Sequence, residues 1–383
     1  MQKRTKKKKI AFIIDTLNKG GTEKATLDLV NSLDESKYDI TLIRFYPGGF
    51  YNRQVKSHIK NKVRYPFGEL FNWNKKLKEK VNWRGRWLLG KLPAKLTHKF
   101  LIGDKYDVEV ACGFFYPTKL VSAAKKAKKI SWVHMDYTVD KSEIGNFSRE
   151  EGQLFFKDVG RIVCVSRECE EKFNQKFDLK EKTCFCYNIV NADEIIKKSQ
   201  DSVTINQSKR PSVIAVGRLT WQKGFDRLLE AHKNIIKRGI SHHLRIIGEG
   251  EDKKELLDYI KNNKLENSVE LLGYIDNPYP YIKNADVFVC SSRHESYGLA
   301  VAESIILETP VVTTDCAGPK ELLGENSYEL IVNNSEEGIE KGLIKILSNR
   351  NYYDSVCEYI KTRKTFFDKG KLIKEWENIF DED

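Results

Sequence analysis

The sequence has no apolar run near the roughly 18 to 20 residues that a membrane-spanning helix needs. Its N-terminal run, Ile10 to Ile14, ends at Asp15 and is not followed by a small-residue cleavage site, so it does not predict a signal peptide. The lysine-rich residues before that run are interpreted as a disordered lead-in to a first strand. We therefore expect a cytoplasmic protein that does not cross a bilayer.

Paired cysteines are also missing. The chain has eight cysteines but no C-x-x-C pair, which is the spacing typical of zinc sites and thiol oxidoreductases. Most of them lie in apolar, strand-like runs, and such residues behave as small buried hydrophobes in a reducing compartment. Cys184 and Cys186 alternate along one strand and are the only pair considered for a metal, and no metal is expected there.

Acidic residues are too few to balance the basic ones, and the formal net charge is +12. This excess predicts an anionic partner, which could be nucleic acid, an anionic membrane or a phosphorylated substrate. Between Trp73 and Phe100 only Glu79 opposes a set of basic residues: Lys75, Lys76, Lys78, Lys80, Arg84, Arg86, Lys91, Lys95 and Lys99. Tryptophan and leucine interleave with them, as on surfaces that lie on anionic headgroups. The alternative is a solvated helical face whose tryptophans pack inward.

Strand-length apolar runs alternate with longer segments of helical period, which predicts an α/β fold with parallel sheets. In the first half the predicted strands are KIAFIID, YDITLIRF, YDVEVACG, KISWVHMD, RIVCVS and TCFCYN. In the second half they are SVIAVGR, LRIIGEG, VELLGYI, VFVCSS, PVVTTD and YELIV. Each half begins with a strand, a glycine-bearing turn and a helix, so we predict two doubly wound, Rossmann-like domains facing across a cleft.

A chain of 383 residues fits two domains. We place an N-terminal, acceptor-binding domain at residues 1–195, a polar linker at 196–211 and a C-terminal, nucleotide-sugar-binding domain at 212–365. Residues 366–383 are predicted to form an amphipathic helix that packs back on the N-terminal domain. Its helical spacing is carried by Ile373, Trp376, Glu377 and Phe380.

Two glycine-bearing turns follow strands and open helices. Gly20 and Gly21 come first, and backbone N–H groups at such a helix start can bind an anion, although a plain tight turn explains two glycines equally well. In the second half, Gly217 and Arg218 end a strand, and Lys223 opens the next helix. Two cations at this edge predict a site for a diphosphate.

Two glutamates stand after the strand VFVCSS. Glu295 lies in a turn with Gly298, and Glu303 follows eight residues later on the predicted helix. A repeat of 3.6 residues would keep both acids near one face. Carboxylates so placed can accept hydrogen bonds from the hydroxyl pairs of a sugar and a ribose.

Taken together, these motifs resemble the retaining, nucleotide-sugar-dependent glycosyltransferases of family 4, which share the two-Rossmann-domain fold called type B. The resemblance covers nearly the whole chain. It rests on Gly20 to Glu23, Trp132 to Asp136, Asn188 to Asn191, Gly217 to Gly224, Gly273 to Ile275, and Glu295 to Glu321, with the E-x7-E spacing of Glu295 and Glu303 as its most specific part.

The resemblance implies a role for each matching residue. Glu295 would contact the transferred sugar, Glu303 the nucleotide ribose, and Arg218 and Lys223 the diphosphate, while His134 would lie near the sugar and the acceptor. By this resemblance Glu295, Arg218, Lys223 and His134 are the expected catalytic residues. The expected donor-binding set adds Gly20, Gly21, Gly217, Tyr274, Ile275, Ser296, Tyr297, Gly298, Leu299 and Glu303.

The chain departs from the family pattern at Glu308, where the helix usually ends in glycine. A left-handed cap there would cost a glutamate on the order of 1 kcal/mol. No cofactor and no metal are expected, because the acidic D-x-D run that metal-dependent sugar transferases use occurs only at Asp381 to Asp383, in the terminal tail.

The expected activity is transfer of a hexose or N-acetylhexosamine, from a nucleotide diphosphate sugar that we expect to be UDP-linked, to an acceptor hydroxyl with retention. We expect a role in bacterial surface polysaccharide assembly, a polyprenyl-diphosphate-linked acceptor and peripheral attachment to the inner face of the cell membrane, with no nucleic acid partner. The alternatives are a nucleotide-sugar epimerase or phosphorylase of similar fold, and a non-catalytic basic protein that binds lipid or nucleic acid.

Overall fold

The computed structural model describes residues 6–64, 91–113, 116–138, 149–203, 210–327 and 329–382. The prediction of a basic, tryptophan-bearing surface between Trp73 and Phe100 therefore falls largely outside the described residues. The chain divides into two units, the first made of residues 1–189 and 369–383 and the second of residues 190–368. Both are built on parallel strands with helices between them, so the predicted fold class is confirmed.

The first unit contains a seven-stranded sheet in the order β3-β2-β1-β4-β5-β6-β7. Its strands are β1 Lys8–Ile14, β2 Tyr38–Arg44, β3 Lys60–Val63, β4 Val108–Cys112, β5 Lys128–Val133, β6 Arg161–Cys164 and β7 Thr183–Phe185. The helices described between them are α1 Gly21–Ser32, α2 Ala94–Leu101, α3 Tyr116–Ser122, α4 Arg149–Phe156 and α5 Arg167–Phe177. All strand pairs are parallel, and the order reverses at β1, which pairs with both β2 and β4.

Strand β1 shows why these sequences form strands. Ile10 to Ile14 are all buried, because helices cover both faces of a parallel sheet and a central strand then contacts apolar neighbours on each side. β3 was missed because it is an edge strand with the sequence KNKV, in which no residue is fully buried. Polar and lysine-rich edges of this kind carry no hydrophobic signal.

The second unit contains a six-stranded parallel sheet in the order β10-β9-β8-β11-β12-β13. Its strands are β8 Ser212–Val216, β9 His243–Ile247, β10 Val269–Gly273, β11 Val287–Cys290, β12 Val311–Thr314 and β13 Ile331–Val332. Its helices are α6 Ala192–Lys198, α7 Phe225–Lys237, α8 Lys253–Asn262, α9 Tyr279–Lys283, α10 Leu299–Ile306, α11 Ala317–Leu323, α12 Glu336–Ser348 and α13 Arg350–Arg363. The order reverses between β8 and β11, which creates a crevice at the carboxyl ends of these two strands.

The predicted linker is partly helical. The structure places α6 at Ala192–Lys198 and begins the second unit at Val190, so this unit starts before the boundary predicted at residue 195, and the first residues of the predicted linker lie in a helix. The Asn191 side chain accepts a hydrogen bond from the Glu194 N–H and caps the helix, and Ile195 is buried. One buried residue among charged neighbours is too weak a periodic signal to predict a helix.

The last helix, α14 Lys369–Asp381, belongs to the first unit. It buries Leu372, Trp376 and Phe380, whereas Ile373 is only half-buried. Phe380 meets Phe12 of β1 edge to face, with ring centroids 6.2 Å apart. The helix thereby completes the core around the central strand, although it follows that strand by more than 350 residues.

The chain departs from the expected glycine at one described position, Glu308. Glu308 adopts the left-handed conformation, with φ 61°, so the expected strained helix end is present. Its carboxylate accepts a hydrogen bond from Lys364, at 2.9 Å. Within the described ranges, no helix combines the length and the apolar character needed to cross a bilayer.

The second unit contains two neighbouring buried histidines, His232 on α7 and His242 just before β9. His232 and His242 are both fully buried, and their Nδ1 and Nε2 atoms lie 2.8 Å apart. His242 Nδ1 donates to the Ile240 carbonyl, at 3.2 Å. In neutral rings His242 Nε2 then accepts from His232 Nδ1, and His232 Nε2 lies 2.9 Å from the Ser268 oxygen, which is also 3.2 Å from the Leu265 carbonyl. Burial of both rings favours this neutral form.

Acid is expected to destabilise the second unit through these rings. Burial lowers the pKa of His232 to about 3 and also lowers the pKa of His242, whereas an unfolded histidine titrates near 6.5. The stabilisation is fully present above about pH 6.5 and, for His232, is lost as the pH falls from there toward 3, with a slope of about 1.4 kcal/mol per pH unit; His242 adds to the loss in the same direction. Urea unfolding between pH 7.5 and 4.5 measures this slope.

A matched pair of variants isolates the effect. His232→Gln should be less stable than wild type at pH 7.5 and should lose stability less steeply as the pH falls. His58→Gln, which changes a partly exposed histidine of the first unit, should leave the slope unchanged. Equal slopes for wild type and His232→Gln would contradict the assignment.

Candidate functional site

The sequence motifs of the second unit meet at its topological switch point. β8 and β11 pair directly in register Val287 to Val213 and Phe288 to Ile214, so the loops that follow these strands are neighbours. Gly217 and Arg218 follow β8, and Glu295 follows β11. Ligands of open α/β sheets bind at this position.

The loop after β8 is shaped by a glycine. A short 3-10 turn, Trp221–Lys223, leads to Gly224, which has φ 64° and precedes α7. A Cβ atom at Gly224 would clash with the Ser291 carbonyl oxygen, so only glycine permits this approach between the two loops. The arrangement brings Lys223 up to the loop after β11 and leaves Arg218 exposed at the carboxyl end of β8.

Lys223 and Glu295 form an ion pair between Nζ and Oε2. The side chains retain 25% and 16% of their exposure, so the pair is largely shielded yet open to a ligand. The Ser292 hydroxyl donates to the same carboxylate oxygen, at 3.3 Å. Burial works to lower the pKa of the Lys223 ammonium, but the Glu295 carboxylate outweighs it, and the pKa lies above its ordinary value. Lys223 is therefore a fixed positive charge.

Residues Ser296 to Leu299 link this carboxylate to the next helix. Tyr297 is buried, and Gly298, with φ 86°, is the N-cap of α10. Glu295 lies before this cap rather than on the helix, so helical periodicity does not relate it to Glu303, and our expectation of two acids sharing one helical face is wrong. Instead, the tight turn at Gly298 determines where each carboxylate lies.

Glu303 is half-buried in the second turn of α10. The Tyr279 hydroxyl, from the start of α9, donates to its Oε1 at 3.2 Å. A carboxylate held by a phenol on one side keeps oxygen lone pairs that can accept bonds from a hydroxyl pair. The geometry therefore suits a ligand with vicinal hydroxyls.

The predicted base-binding loop follows β10. Gly273 has φ 70°, and its carbonyl accepts the Gly248 N–H at 2.8 Å. Tyr274 is 36% exposed, and burial and the neighbouring Asp276 both raise the pKa of its phenol. Ile275 is half-buried. The loop thus presents an aromatic ring and an aliphatic side chain of the kind on which a flat ring can pack.

In the first unit, Gly20 and Gly21 lie where β1 passes into α1. Gly20 is the N-cap in extended backbone, with no side-chain cap. A Cβ atom there would clash with the Glu23 carboxylate, which also accepts a hydrogen bond from Thr16, at 3.2 Å. Glycine at position 20 therefore allows the turn to close over Glu23.

His134 follows β5 in the first unit. Its ring lies 4.4 Å from that of the buried Trp132, and burial lowers the pKa of the imidazole to about 3. Nε2 is buried and has no hydrogen-bond partner among the described residues. A neutral imidazole with one unused nitrogen can exchange a hydrogen bond with a ligand hydroxyl.

Of the predicted residues of the second unit, the structure joins Lys223 to Glu295, and it adds three that the sequence analysis missed. Ser292 and Tyr279 contact the two carboxylates, and Arg293 ties the two loops to each other. Ser292 lies three residues before Glu295 and could have been considered from spacing. Tyr279 comes from another element, and no local pattern points to it.

Metal and thiol chemistry find little support in the described part of the chain. There, no group of three His, Cys, Asp or Glu side chains converges as a metal site would require. All eight cysteines are free thiols, including Cys184 and Cys186. The expectation that no metal or cofactor takes part stays a prediction.

Comparison with known proteins adds an independent line of evidence. Residues 196–363 match the model of a protein family described as glycosyl transferases group 1. An uncharacterized glycosyltransferase of Haemophilus influenzae is 25% identical over 97% of this chain and 99% of its own length. The matched family segment includes Arg218, Lys223, Glu295 and Glu303.

A second relative and a solved structure extend the comparison. The N-acetylgalactosamine-N,N'-diacetylbacillosaminyl-diphospho-undecaprenol 4-alpha-N-acetylgalactosaminyltransferase of Campylobacter jejuni is 31% identical over 58% of this chain and 60% of its own length. The crystal structure of HepE from Anabaena, in complex with UDP and glucose, has a TM-score of 0.74 at 17% identity over 98% of this chain and 99% of that one. At that identity the likeness shows the fold.

Proposed function

We propose that this chain, whose residues 196–363 match the group 1 glycosyltransferase family, transfers a hexose or N-acetylhexosamine from a nucleotide diphosphate sugar to an acceptor hydroxyl with retention of configuration. The observation that carries the proposal is the ion pair of Lys223 and Glu295, on the two loops that follow the paired strands β8 and β11. Lys223 and Arg218, both on the loop after β8, suit a diphosphate, and the carboxylate paired with Lys223 suits the sugar attached to it.

The proposed chemistry is electrostatic. As the bond from the sugar to the diphosphate breaks, negative charge grows on the departing phosphate, and the Lys223 ammonium already stands in place to stabilise it. The phosphate can then take the proton of the acceptor hydroxyl on the same face, which retains the configuration. Glu295 holds the sugar, and an attack by Glu295 itself is the competing route. Glu303 and Tyr279 would bind the ribose, and Tyr274 and Ile275 the base.

We further propose a UDP-linked donor and a lipid-linked acceptor in bacterial surface polysaccharide assembly. HepE was crystallised with UDP, and the name of the Campylobacter jejuni relative gives a diphospho-undecaprenol substrate. His134, with its neutral ring and unused Nε2, would orient the sugar or the acceptor hydroxyl in the first unit.

Substitution of Glu303 and of Glu295 should affect different kinetic constants, the first donor binding and the second turnover. Glu303→Ala is expected to raise the KM for the donor, because contacts to a ribose are the same in the ground and transition states. Glu295→Ala should mainly lower kcat, because contacts to the transferred sugar change as its bond breaks. Transfer from a panel of UDP, GDP and ADP sugars, measured without and with excess EDTA, gives both constants.

The same assay can reject the proposal. Wild type that transfers no sugar from any donor of the panel would overturn the function. Equal losses of kcat and kcat/KM in both variants would overturn the division of roles. Activity that disappears in EDTA and returns with magnesium or manganese would contradict a metal-independent reaction.

Attachment to an anionic membrane is also proposed, and the segment of residues 91–100, which leads into α2, supports it. Leu96 and Phe100, four residues apart on α2, are 45% and 74% exposed, and Leu92, which precedes the helix, is 42% exposed. Three lysines, Lys91, Lys95 and Lys99, share this segment and are exposed as well. An apolar stripe bordered by cations suits the interface of an anionic leaflet, with the lysines contacting phosphates.

Sedimentation with phosphatidylglycerol vesicles should detect this attachment. Each lysine near an anionic surface contributes about 1 kcal/mol, so changing Lys91, Lys95 and Lys99 to Gln should weaken binding roughly a hundredfold at low salt. The control changes Lys254, Lys261 and Lys264 to Gln, which removes the same charge from exposed positions of the second unit. Equal binding by both triple variants, or binding that ignores salt, would contradict the assignment to α2 while leaving the transferase proposal standing.

A further inference from the structure

Lys223 and Glu295 lie on different loops, and a dense set of polar contacts joins those loops. We define this set as the loop clasp, formed by Trp221, Gln222 and Asp226 on one side and Ser291 and Arg293 on the other. Its contacts are short, and they surround the ion pair of Lys223 and Glu295 without including either of those two side chains.

Arg293 is the centre of the loop clasp. Its Nη1 donates to the Trp221 carbonyl at 2.6 Å and to Asp226 Oδ1 at 2.8 Å, while its Nη2 donates to Asp226 Oδ2 at 2.6 Å. The guanidinium carbon also lies 4.5 Å from the centre of the Trp221 ring. The planar fork of arginine allows these contacts to be made at once, and a lysine could not reproduce them.

Backbone bonds fix the loops further. The Arg293 N–H donates to the Gln222 carbonyl at 2.7 Å, and the Gln222 amide donates to the His294 carbonyl at 3.0 Å. The Ser291 hydroxyl donates to the Lys223 carbonyl at 2.8 Å. The residues next to Lys223 and Glu295 in the chain are thus fixed by hydrogen bonds to the opposite loop.

Asp226 also suits its place on the helix. It lies in the first turn of α7, where the helix dipole favours a negative charge. Burial works to raise the pKa of its carboxyl, but Arg293 outweighs this and holds the pKa below its ordinary value. Asp226 is therefore ionised across the range in which the enzyme would work and remains a partner for the guanidinium.

We infer that Arg293 and Asp226 are positioning residues, which hold the loop of Lys223 against the loop of Glu295 so that the ammonium and the carboxylate keep their separation during transfer. The inference rests on the proposed function, in which these two side chains act on the diphosphate and on the sugar. Neither Arg293 nor Asp226 needs to touch the donor. A misplacement of about 1 Å can cost on the order of a hundredfold in rate.

Kinetics of Arg293→Gln, Asp226→Asn and the double variant test the role. Each single change should lower kcat about 10- to 100-fold with the KM for the donor changed less than about threefold, because a displaced Lys223 loses mainly transition-state contacts. The double variant should be no worse than the poorer single one, since both remove the same link. Arg350→Gln is the control, because it breaks a similar two-point pair with Asp354 on an exposed helix.

A chemical readout needs no substrate. Reductive methylation followed by mass spectrometry reports how accessible and how well paired each lysine is. In Arg293→Gln and Asp226→Asn, labelling of Lys223 should rise several-fold, whereas Lys253, which pairs with Glu249, should label as in wild type. A rise at all lysines would show general destabilisation and overturn the positioning role.

The outcomes separate this inference from the proposed function. Additive losses of kcat, or unchanged labelling of Lys223 in both variants, would overturn the positioning role even if wild type transfers sugar. A wild type without transferase activity would overturn the proposed function, and the labelling result would still decide whether Arg293 and Asp226 hold Lys223 in place.

Discussion

Replacing Lys223 with alanine is expected to lower kcat by about 30- to 1,000-fold, which corresponds to roughly 2 to 4 kcal/mol of transition-state stabilisation. The ammonium is the cation that the structure fixes next to Glu295, and its raised pKa keeps it charged. Its removal leaves the growing charge on the departing phosphate without a preorganised partner. Single-turnover measurements with saturating donor give this loss directly.

The Lys223→Ala variant also leaves the Glu295 carboxylate, 16% exposed, without its cation. Its melting temperature must therefore be measured alongside its rate, and kcat must be expressed per folded enzyme. The control is Lys253→Ala, which removes an exposed pair with Glu249 and should leave kcat unchanged. A Lys223→Ala enzyme with the wild-type rate would show that this cation does not act on the diphosphate.

Arg218 offers a comparison within the same crevice. It is exposed at the end of β8, whereas Lys223 is held by a carboxylate and by the loop clasp. If both cations contact the diphosphate, Arg218→Ala should likewise remove roughly 2 to 4 kcal/mol of transition-state stabilisation. Because Arg218 is the more exposed of the two, its loss should disturb folding less than the loss of Lys223 does.

The strands could be predicted from the sequence because parallel strands covered on both faces are apolar along most of their length. β1 and β8 are examples, with buried runs at Ile10 to Ile14 and Val213 to Ala215. β3 and α6 could not be predicted in this way. One is a lysine-rich edge, and the other buries little more than Ile195.

The residues of the candidate site could be predicted where they belong to a local sequence motif. Contacts between residues that are distant in the sequence could not be predicted. Lys223 follows a strand in a recognisable turn, and Glu295 and Glu303 have a characteristic spacing. The residues that join the two loops are distant in the chain, since Arg293 and Asp226 are separated by 67 positions. Only the pairing of β8 with β11 brings them together, and no residue pattern states that pairing.

Trp376→Ala is expected to destabilise the first unit by about 3 to 5 kcal/mol, because it removes a large, fully buried side chain and leaves a cavity. The Trp376 ring lies 4.7 Å from that of Trp132 and 5.6 Å from that of Phe380. Through Phe380 the helix α14 reaches Phe12 and the central strand. Urea unfolding followed by circular dichroism measures the loss.

The same substitution connects the fold to the site, because Trp132 contacts both Trp376 and His134. Trp376→Phe should keep much of the packing and lose less stability than Trp376→Ala. Glu377→Ala is the control on the same helix, since it removes an ion pair with the exposed Lys37 and a hydrogen bond with Tyr38 but no buried ring, and it should cost less. If Trp376→Ala unfolds no more readily than Glu377→Ala, then α14 does not close the core of the first unit. If it does unfold more readily, the fraction that stays folded should show an altered His134 resonance in NMR spectra, because the indole that supports Trp132 beneath that imidazole is gone.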